Sequence, residues 1–294
     1  MKAPPRDSPG RRLSSFLHRH PRLRLGLLLT PPLSWLLLAY LGSLAVLFVA
    51  AFWRLDPFTA EVVRDYGFQN FEQLWESDVY RAITQRTVLI AAAVTVTDAV
   101  LAFPIAFYMA KVASPRTRNL LVVAILLPLW ASYLVKVYAW RIILQEEGVL
   151  NWALSPLGLS GPGFGNIATW LVFSYLWLPF MILPVYAGLE RIPSSLLEAS
   201  ADLGARGGRT LRRVVFPMAL PAIAAGSIFT FSLTLGDYIT PALVSSTQFI
   251  GNVVFINVGV ANNLPFAAAF ATVPVAVMVV YLLLARRAGA FDSL

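Results

Sequence analysis

Apolar residues run in long blocks along this chain, separated by short polar connections. Hydrocarbon about 30 Å thick is crossed at about 1.5 Å per helical residue, so roughly 20 mostly apolar residues make one span. Six blocks reach that length: Leu33 to Phe52, Val88 to Ala110, Leu120 to Trp140, Ile167 to Leu189, Met218 to Leu243 and Phe266 to Ala285. The second is interrupted by Asp98 and the fifth by Asp237, and Lys136 stands near the far end of the third. The pattern predicts an all-α membrane protein with six transmembrane helices. Pro31 and Pro32 fall at the edge of the first span, where proline costs a helix least.

The connections carry their own signals. Between Trp53 and Thr87, Asn70 and Gln73 have the spacing of a capping box, while Phe71, Leu74 and Trp75 share one face. They predict a short amphipathic helix at the outer interface, with Ser77 capping a further helix into the second span. Ser155-Pro156 and Gly161-Pro162-Gly163 punctuate the next external segment, and Asn262 and Asn263 read as turn formers in the last. On the opposite side, Pro193 bars helix before it, Ser195 and Glu198 have capping-box spacing, and Gly204 is placed as a left-handed stop. A two-turn helix from Leu196 to Leu203 follows, with Leu196, Ala199 and Leu203 on one face. So short a helix must dock on its own chain or on a partner. A second short helix is expected from Gly208 to Phe216, with Pro217 and Pro221 breaking or kinking the chain on re-entry.

Charge sets the direction. Of the 23 Lys and Arg residues, 17 lie in the N-terminal tail, the loops after spans two and four, and the C-terminus, against 5 on the other side. That asymmetry places both ends in the cytoplasm. It also assigns the net charge of +8 to a membrane surface rather than to nucleic acid. The basic tail followed by an apolar run has the outline of a signal peptide, but the run exceeds the usual 7–15 residues and reads as a retained anchor. Zero cysteines exclude thiolate metal sites and cysteine nucleophiles, and both histidines, His18 and His20, sit in the tail. The lysines are Lys2, Lys111 and Lys136, and none follows a phosphate-loop pattern. The chain is therefore read as no enzyme, without cofactor, metal site or nucleotide site of its own.

Candidate pathway residues follow from the cost of charge in hydrocarbon, at least about 2.5–3.5 kcal/mol per ionised group. Asp98 and Asp237 suit an ammonium substrate; the alternative is a structural partner, Thr95 or Thr97 for Asp98 and Tyr238 for Asp237. Gly236 before Asp237 and Pro241 after it predict an irregular helix there. Trp130, Tyr133, Tyr138, Trp140, Tyr175 and Trp177 are either cation–π walls or an interfacial aromatic belt, the belt being the better reading for Trp140. Trp130, Tyr133, Trp177 and Tyr238 join Asp98 and Asp237 as the six proposed pathway residues. Lys136 and Arg141 either snorkel to the outer interface or dock a partner.

The run Glu198-Ala199-Ser200-x(3)-Gly204-x(9)-Val214-x-Phe216-Pro217 resembles the EAA loop of type I ABC-importer permeases, E-A-A-x(3)-G-x(9)-I-x-L-P. Glu198, Ala199, Gly204 and Pro217 match; Ser200, Val214 and Phe216 depart. Pro128 to Trp140, Gly148 to Asn151, and Leu235 to Pro241 resemble the spermidine/putrescine branch of that family. The resemblance implies a MetI-like bundle in the bacterial inner membrane. It divides the chain into a tail (1–24), a first span with its external segment (25–87), a core (88–287) with the EAA loop at 190–217, and a C-terminus (288–294). It implies a second permease subunit, two ATPases that bind ATP and Mg, and an extracytoplasmic binding protein. In this reading Leu196, Glu198, Ala199, Ser200, Leu203, Gly204 and Pro217 form the ATPase-coupling element. Arg206, Arg209, Arg212 and Arg213 meet lipid or ATPase. Polyamine is the implied cargo, with iron, phosphonate or an anion carried by related permeases. An ion-gradient-driven transporter or channel is the rival class.

Overall fold

The computed structural model describes His18 and residues 20–287. Lys2, Arg6, Arg11, Arg12 and Arg19 of the expected tail, and residues 288–294, lie outside the described residues. The first span is one apolar rod of 30 residues, Pro21–Ala50. It is built from α1 (Pro21–Trp35), a π-helical stretch (Leu36–Leu41) and α2 (Gly42–Ala50). It begins well before Leu33, and Pro31 and Pro32 lie inside it rather than at its edge. Because Pro31 and Pro32 lack N–H groups, the carbonyls of Leu27 and Leu28 lose their usual i+4 donors. Ser34 donates to Pro31 O at 3.0 Å, and the π stretch begins two residues further on.

A small external cap follows. Strands β1 (Arg54–Leu55) and β2 (Val62–Val63) pair antiparallel, and helix α3 (Gln69–Glu76) lies beside them. Asn70 is not the cap of α3; it sits in the first turn, and the capping box with Gln73 does not form. Its buried amide instead donates to Ala51 O at 2.9 Å and Trp53 O at 2.7 Å, satisfying carbonyls where the first span ends. Phe71 and Leu74 pack on Ala51, Ala268 and Ala269, while Trp75 remains exposed.

Helix α4 (Asp78–Phe107) starts ten residues before Val88, so a boundary at 87/88 falls inside a continuous helix that ends in a π turn, Tyr108–Val112. Ser77 occupies its N-cap position without a side-chain cap. The third crossing is not one helix. Helices α5 (Pro115–Trp130) and α6 (Tyr133–Leu144) meet at 91°, with Ala131 and Ser132 extended between them. Short α7 (Val149–Leu154) precedes α8 (Asn166–Glu190), which matches the expected fourth span.

On the cytoplasmic side lies α9 (Ser194–Asp202). The expected second short helix does not stand apart: α10 (Gly207–Thr210), a π stretch (Leu211–Val215) and α11 (Phe216–Gly236) form one 30-residue rod. Pro217 and Pro221 do not break it; the winding loosens to π just before Pro217, whose missing N–H would otherwise disrupt the ladder. The fifth span therefore ends at Gly236 rather than Leu243, and α12 (Ile239–Val244) follows a two-residue gap. Helix α13 (Ile250–Gly259) is too short to cross and packs on α14 (Leu264–Arg287). Asn262 adopts φ +51°, and Asn263 Oδ1 accepts from Phe266 N at 3.2 Å, so both act in the turn.

Taking the bent pair as one crossing, six crossings return the chain to its starting side. Helices α4, α8 and α11 form the centre. Small residues allow that approach: a Cβ on Gly188 would lie 2.3 Å from Ala222 Cβ, and one on Gly226 would lie 2.7 Å from Met181 Sδ. One buried cluster, including Ala106, Met109, Val185, Leu189 and Val215, fills the cytoplasmic half; another, including Val94, Val137, Phe173 and Val244, fills the outer half.

In the external hairpin turn, Asp56 Oδ1 accepts from Phe58 N at 2.8 Å and Thr59 N at 3.1 Å. Those amides favour the carboxylate and hold Asp56 below its usual carboxylate range. The stabilisation is therefore complete above that usual range and is lost as pH falls through the lowered value. Measured as protection from hydrogen exchange relative to the intrinsic rate at each pH, Phe58 and Thr59 should hold their protection through mild acid and lose it only below, whereas Asp56→Ala should lack it throughout.

Candidate functional site

Two arrangements concern the sequence-selected residues: one where broken helices meet inside the membrane, one at the cytoplasmic loop. In the first, the break at Ala131–Ser132 and the break at Asp237–Tyr238 face each other. Asp237 Oδ1 accepts from Ile239 N at 2.8 Å and Thr240 N at 3.0 Å, capping α12. Its Oδ2 accepts from the Tyr133 hydroxyl and from Thr240 Oγ1 at 3.3 Å. Tyr133 and Thr240 hydroxyls also lie 2.6 Å apart. The predicted irregularity after Gly236 is thus real, and the partners of Asp237 are Tyr133, Thr240 and backbone amides rather than Tyr238.

This junction borders an open cavity of about 350 Å³ lined by Tyr133, Trp177, Ser232, Gly236, Asp237 and Tyr238, among others. Trp177 stacks on Tyr133 at 6.0 Å, and Tyr238 stacks on Phe255 at 4.5 Å. Four of the six proposed pathway residues are therefore brought together. Trp130 is not among them; it ends α5 and is 90% exposed. Asp98 does not line this cavity either. It is fully buried on α4, where neither oxygen is in hydrogen-bond geometry with a described residue and the Ser174 hydroxyl, also without a bond, is the polar group beside it. Thr95 donates to Ala91 O at 2.7 Å and Thr97 accepts from Trp170 Nε1 at 3.1 Å, so neither supplies the structural partner considered for Asp98.

Residues with no obvious sequence signal complete the junction. Asn252 donates to Tyr238 O at 2.7 Å and accepts from Phe249 N at 3.1 Å, tying α13 to the break. Gly251 lies against the same backbone: a Cβ there would sit 2.7 Å from Asp237 O. Only a glycine allows that approach, a constraint invisible without the fold.

The cytoplasmic loop is built differently from its expected caps. Pro193, not Ser195, is the N-cap of α9, and no side chain caps it; Ser195 already lies in the first turn, so the box with Glu198 does not form. The C-terminal end follows expectation. Gly204 has φ +79°, Gly204 N donates to Ala201 O at 2.8 Å and Ala205 N to Ser200 O at 3.0 Å, a Schellman closure. Leu197 packs on the cytoplasmic core cluster, and Ser200 Oγ meets Thr210 Oγ1 at 2.8 Å. With that side docked, Leu196, Glu198, Ala199 and Leu203 are exposed, Leu203 by 88%. Pro217 is not part of this exposed helix; it lies in the rod leading to span five.

A helical bundle with interrupted spans and a docked cytoplasmic helix defines a multi-pass membrane transport subunit. The chain belongs to the family described as binding-protein-dependent transport system inner membrane component, matched over residues 102–290. It is 46% identical to the inner membrane ABC transporter permease protein YdcU of Escherichia coli K12, covering 100% of this chain and 98% of that one. It is 30% identical to the spermidine/putrescine transport system permease protein PotB of Haemophilus influenzae, over 68% of this chain and 72% of that one. A bacterial ABC transporter that imports the acidic polysaccharide alginate contains a chain of the same fold, with TM-score 0.70 at 19% identity, covering 94% of this chain and 97% of that chain. The chain is thus a type I permease subunit of an ABC importer in the bacterial inner membrane, a transport component rather than an enzyme.

The junction generates a packing prediction. Gly251→Ala should force α13 away from Asp237 and cost about 1–3 kcal/mol. Gly236→Ala, where an added methyl would meet nothing within 4 Å, should leave stability unchanged. Thermal unfolding of the two purified variants in the same detergent makes the comparison.

Proposed function

We propose that this subunit lines half of a pathway that carries a polyamine, such as putrescine or spermidine, or a similar small organic cation into the cell. The observation that carries the reading is the carboxylate of Asp237 beside the aromatic faces of Tyr133 and Trp177 in a membrane-level cavity. An ammonium gains from a fixed negative charge and from aromatic faces together. The PotB relatives, named for spermidine and putrescine, point the same way. Asp98 and Trp130 stay as pathway candidates only in a conformation that brings them to the cavity.

The complex in this reading contains a second permease subunit, two cytoplasmic ATPases holding ATP and Mg, and an extracytoplasmic binding protein. Helix α9 acts as the coupling helix, presenting Leu196, Glu198, Ala199 and Leu203 to an ATPase groove. Ser200 and Gly204 hold its shape, and Pro217 lies where its motion enters span five. The core is taken as 88–287. Energetically, the bundle is a two-state element biased by the nucleotide state of its partner. The basic run Arg206, Arg209, Arg212 and Arg213 adjoins both the inner lipid surface and the ATPase.

Two variants test this in the reconstituted complex. Asp237→Asn keeps the cap acceptor but removes the charge, and should lower uptake of labelled spermidine by roughly tenfold, the equivalent of about 1.4 kcal/mol. Unchanged uptake would remove Asp237 from the pathway. Leu203→Asp places a charge on the exposed apolar face and should weaken recovery of the ATPase with the permease. Uptake that persists without any ATPase would favour a gradient-driven transporter instead.

A further inference from the structure

A cluster of charged and polar side chains binds the root of α9 to the inner ends of three spans. Lys111, in the π turn that ends span two, donates from Nζ to Ile192 O at 2.5 Å. Ile192 is buried and immediately precedes Pro193, the N-cap of α9. Arg118, on the first turn of α5, donates from Nε to Met109 O at 3.0 Å and pairs through Nη1 with Glu190 Oε1 at 3.4 Å. Tyr186, one turn earlier on α8, donates to the same Glu190 oxygen at 3.0 Å. An exposed ion pair alone holds little. A charged donor on the backbone carbonyl of a buried residue is stronger, and here it closes on the same few residues as the pair.

The opposite end of α9 is held differently. It leaves through the left-handed turn at Gly204 and packs beside the next rod, to which it is hydrogen-bonded by a neutral hydroxyl pair, Ser200 to Thr210. One end of the helix is thus bolted by charge-assisted bonds, and the other is joined by a turn.

We propose that Lys111 and Arg118 are positioning residues forming a cytoplasmic latch, which makes the root of α9 move as one body with the inner ends of spans two, three and four. A displacement applied to α9 then reaches the bundle instead of being absorbed in the residues 190–193 that join it to α8. The transport consequence rests on the proposed reading of α9 as the coupling helix; the latch itself does not.

The chain contains no cysteine, so single labels can be introduced cleanly. Spin labels on Arg116→Cys and Ser195→Cys, in the assembled complex in lipid nanodiscs, report the distance across the latch by double electron–electron resonance. Lys111→Met should broaden that distribution, and Lys111→Arg should restore it. In proteoliposomes with labelled spermidine, Lys111→Met should keep ATP hydrolysis but lower uptake per ATP by roughly fivefold or more, a typical coupling magnitude. A merely structural lysine would lower hydrolysis and uptake together. An unchanged distance distribution, or a broadened one with unaltered uptake per ATP, overturns the proposal. Should Lys111→Met not assemble, Arg118→Met removes both the bond to Met109 O and the pair with Glu190, and is read in the same way. The spin-label measurement needs neither cargo nor nucleotide, so a failed coupling or cargo reading shows separately as normal latch distances without spermidine uptake in the parent complex.

Discussion

The constraint behind this architecture is the demand that backbone amides and carbonyls inside hydrocarbon find partners within the protein. An unbroken helix meets most of it by itself, and the first span, Pro31 and Pro32 aside, does so without burying a side chain. A broken helix does not. The chain breaks helices twice at membrane depth, and it sets the breaks against each other. Asp237 takes two amides at the start of α12, Tyr133 and Thr240 meet its other oxygen, and Asn252 takes the carbonyl of Tyr238. The irregular backbone after Gly236 is tolerable because Asp237 and Asn252 take its freed amides and carbonyl, and Tyr133 from the facing break holds the Asp237 carboxylate. The cavity beside it follows from the same geometry, since two rods that turn aside leave space between their ends.

The cytoplasmic side solves a different problem. A two-turn helix cannot hold itself together, so α9 depends on its ends and on one buried side. Leu197 and Ser200 fasten that side, and the Schellman closure at Gly204 stops the helix cleanly. What remains outward mixes apolar Leu196, Ala199 and Leu203 with the carboxylate of Glu198, and Leu203 stands at its extremity. The anchored root and the bare face divide the labour of a transmission part: one end is fixed to the bundle, the other surface is offered to a partner.

Much of this was legible in the sequence, because membrane spans and loop charges obey strong one-dimensional rules. The six apolar blocks, the irregular stretch after Gly236 and the stop at Gly204 could be read directly. Local caps were less legible. Ser195 with Glu198, and Asn70 with Gln73, have the right spacing, yet Pro193 and Phe68 take the N-cap positions, and Asn70 is drawn instead to carbonyls nearly twenty residues earlier. The bend at Ala131–Ser132 was hidden because apolar residues continue across it, and hydropathy does not record direction. Its stabilising partner lies over a hundred residues away, at Asp237. Prolines misled in the other direction: Pro31, Pro32, Pro217 and Pro221 all sit inside continuous rods, and only at Pro217 does π winding immediately precede the ring.

The two amide bonds from Asn70 to the end of the first span have a mechanical corollary. They secure that rod at its outer tip, where Ala51 also packs on Ala268 and Ala269, while the rest of its length is unburied within the single chain. Gly42–Ala50 also packs along α14, so the rod's purchase on the bundle is all in its outer part, and Pro21 to Leu41 present a continuous apolar flank that the rest of the chain leaves unburied.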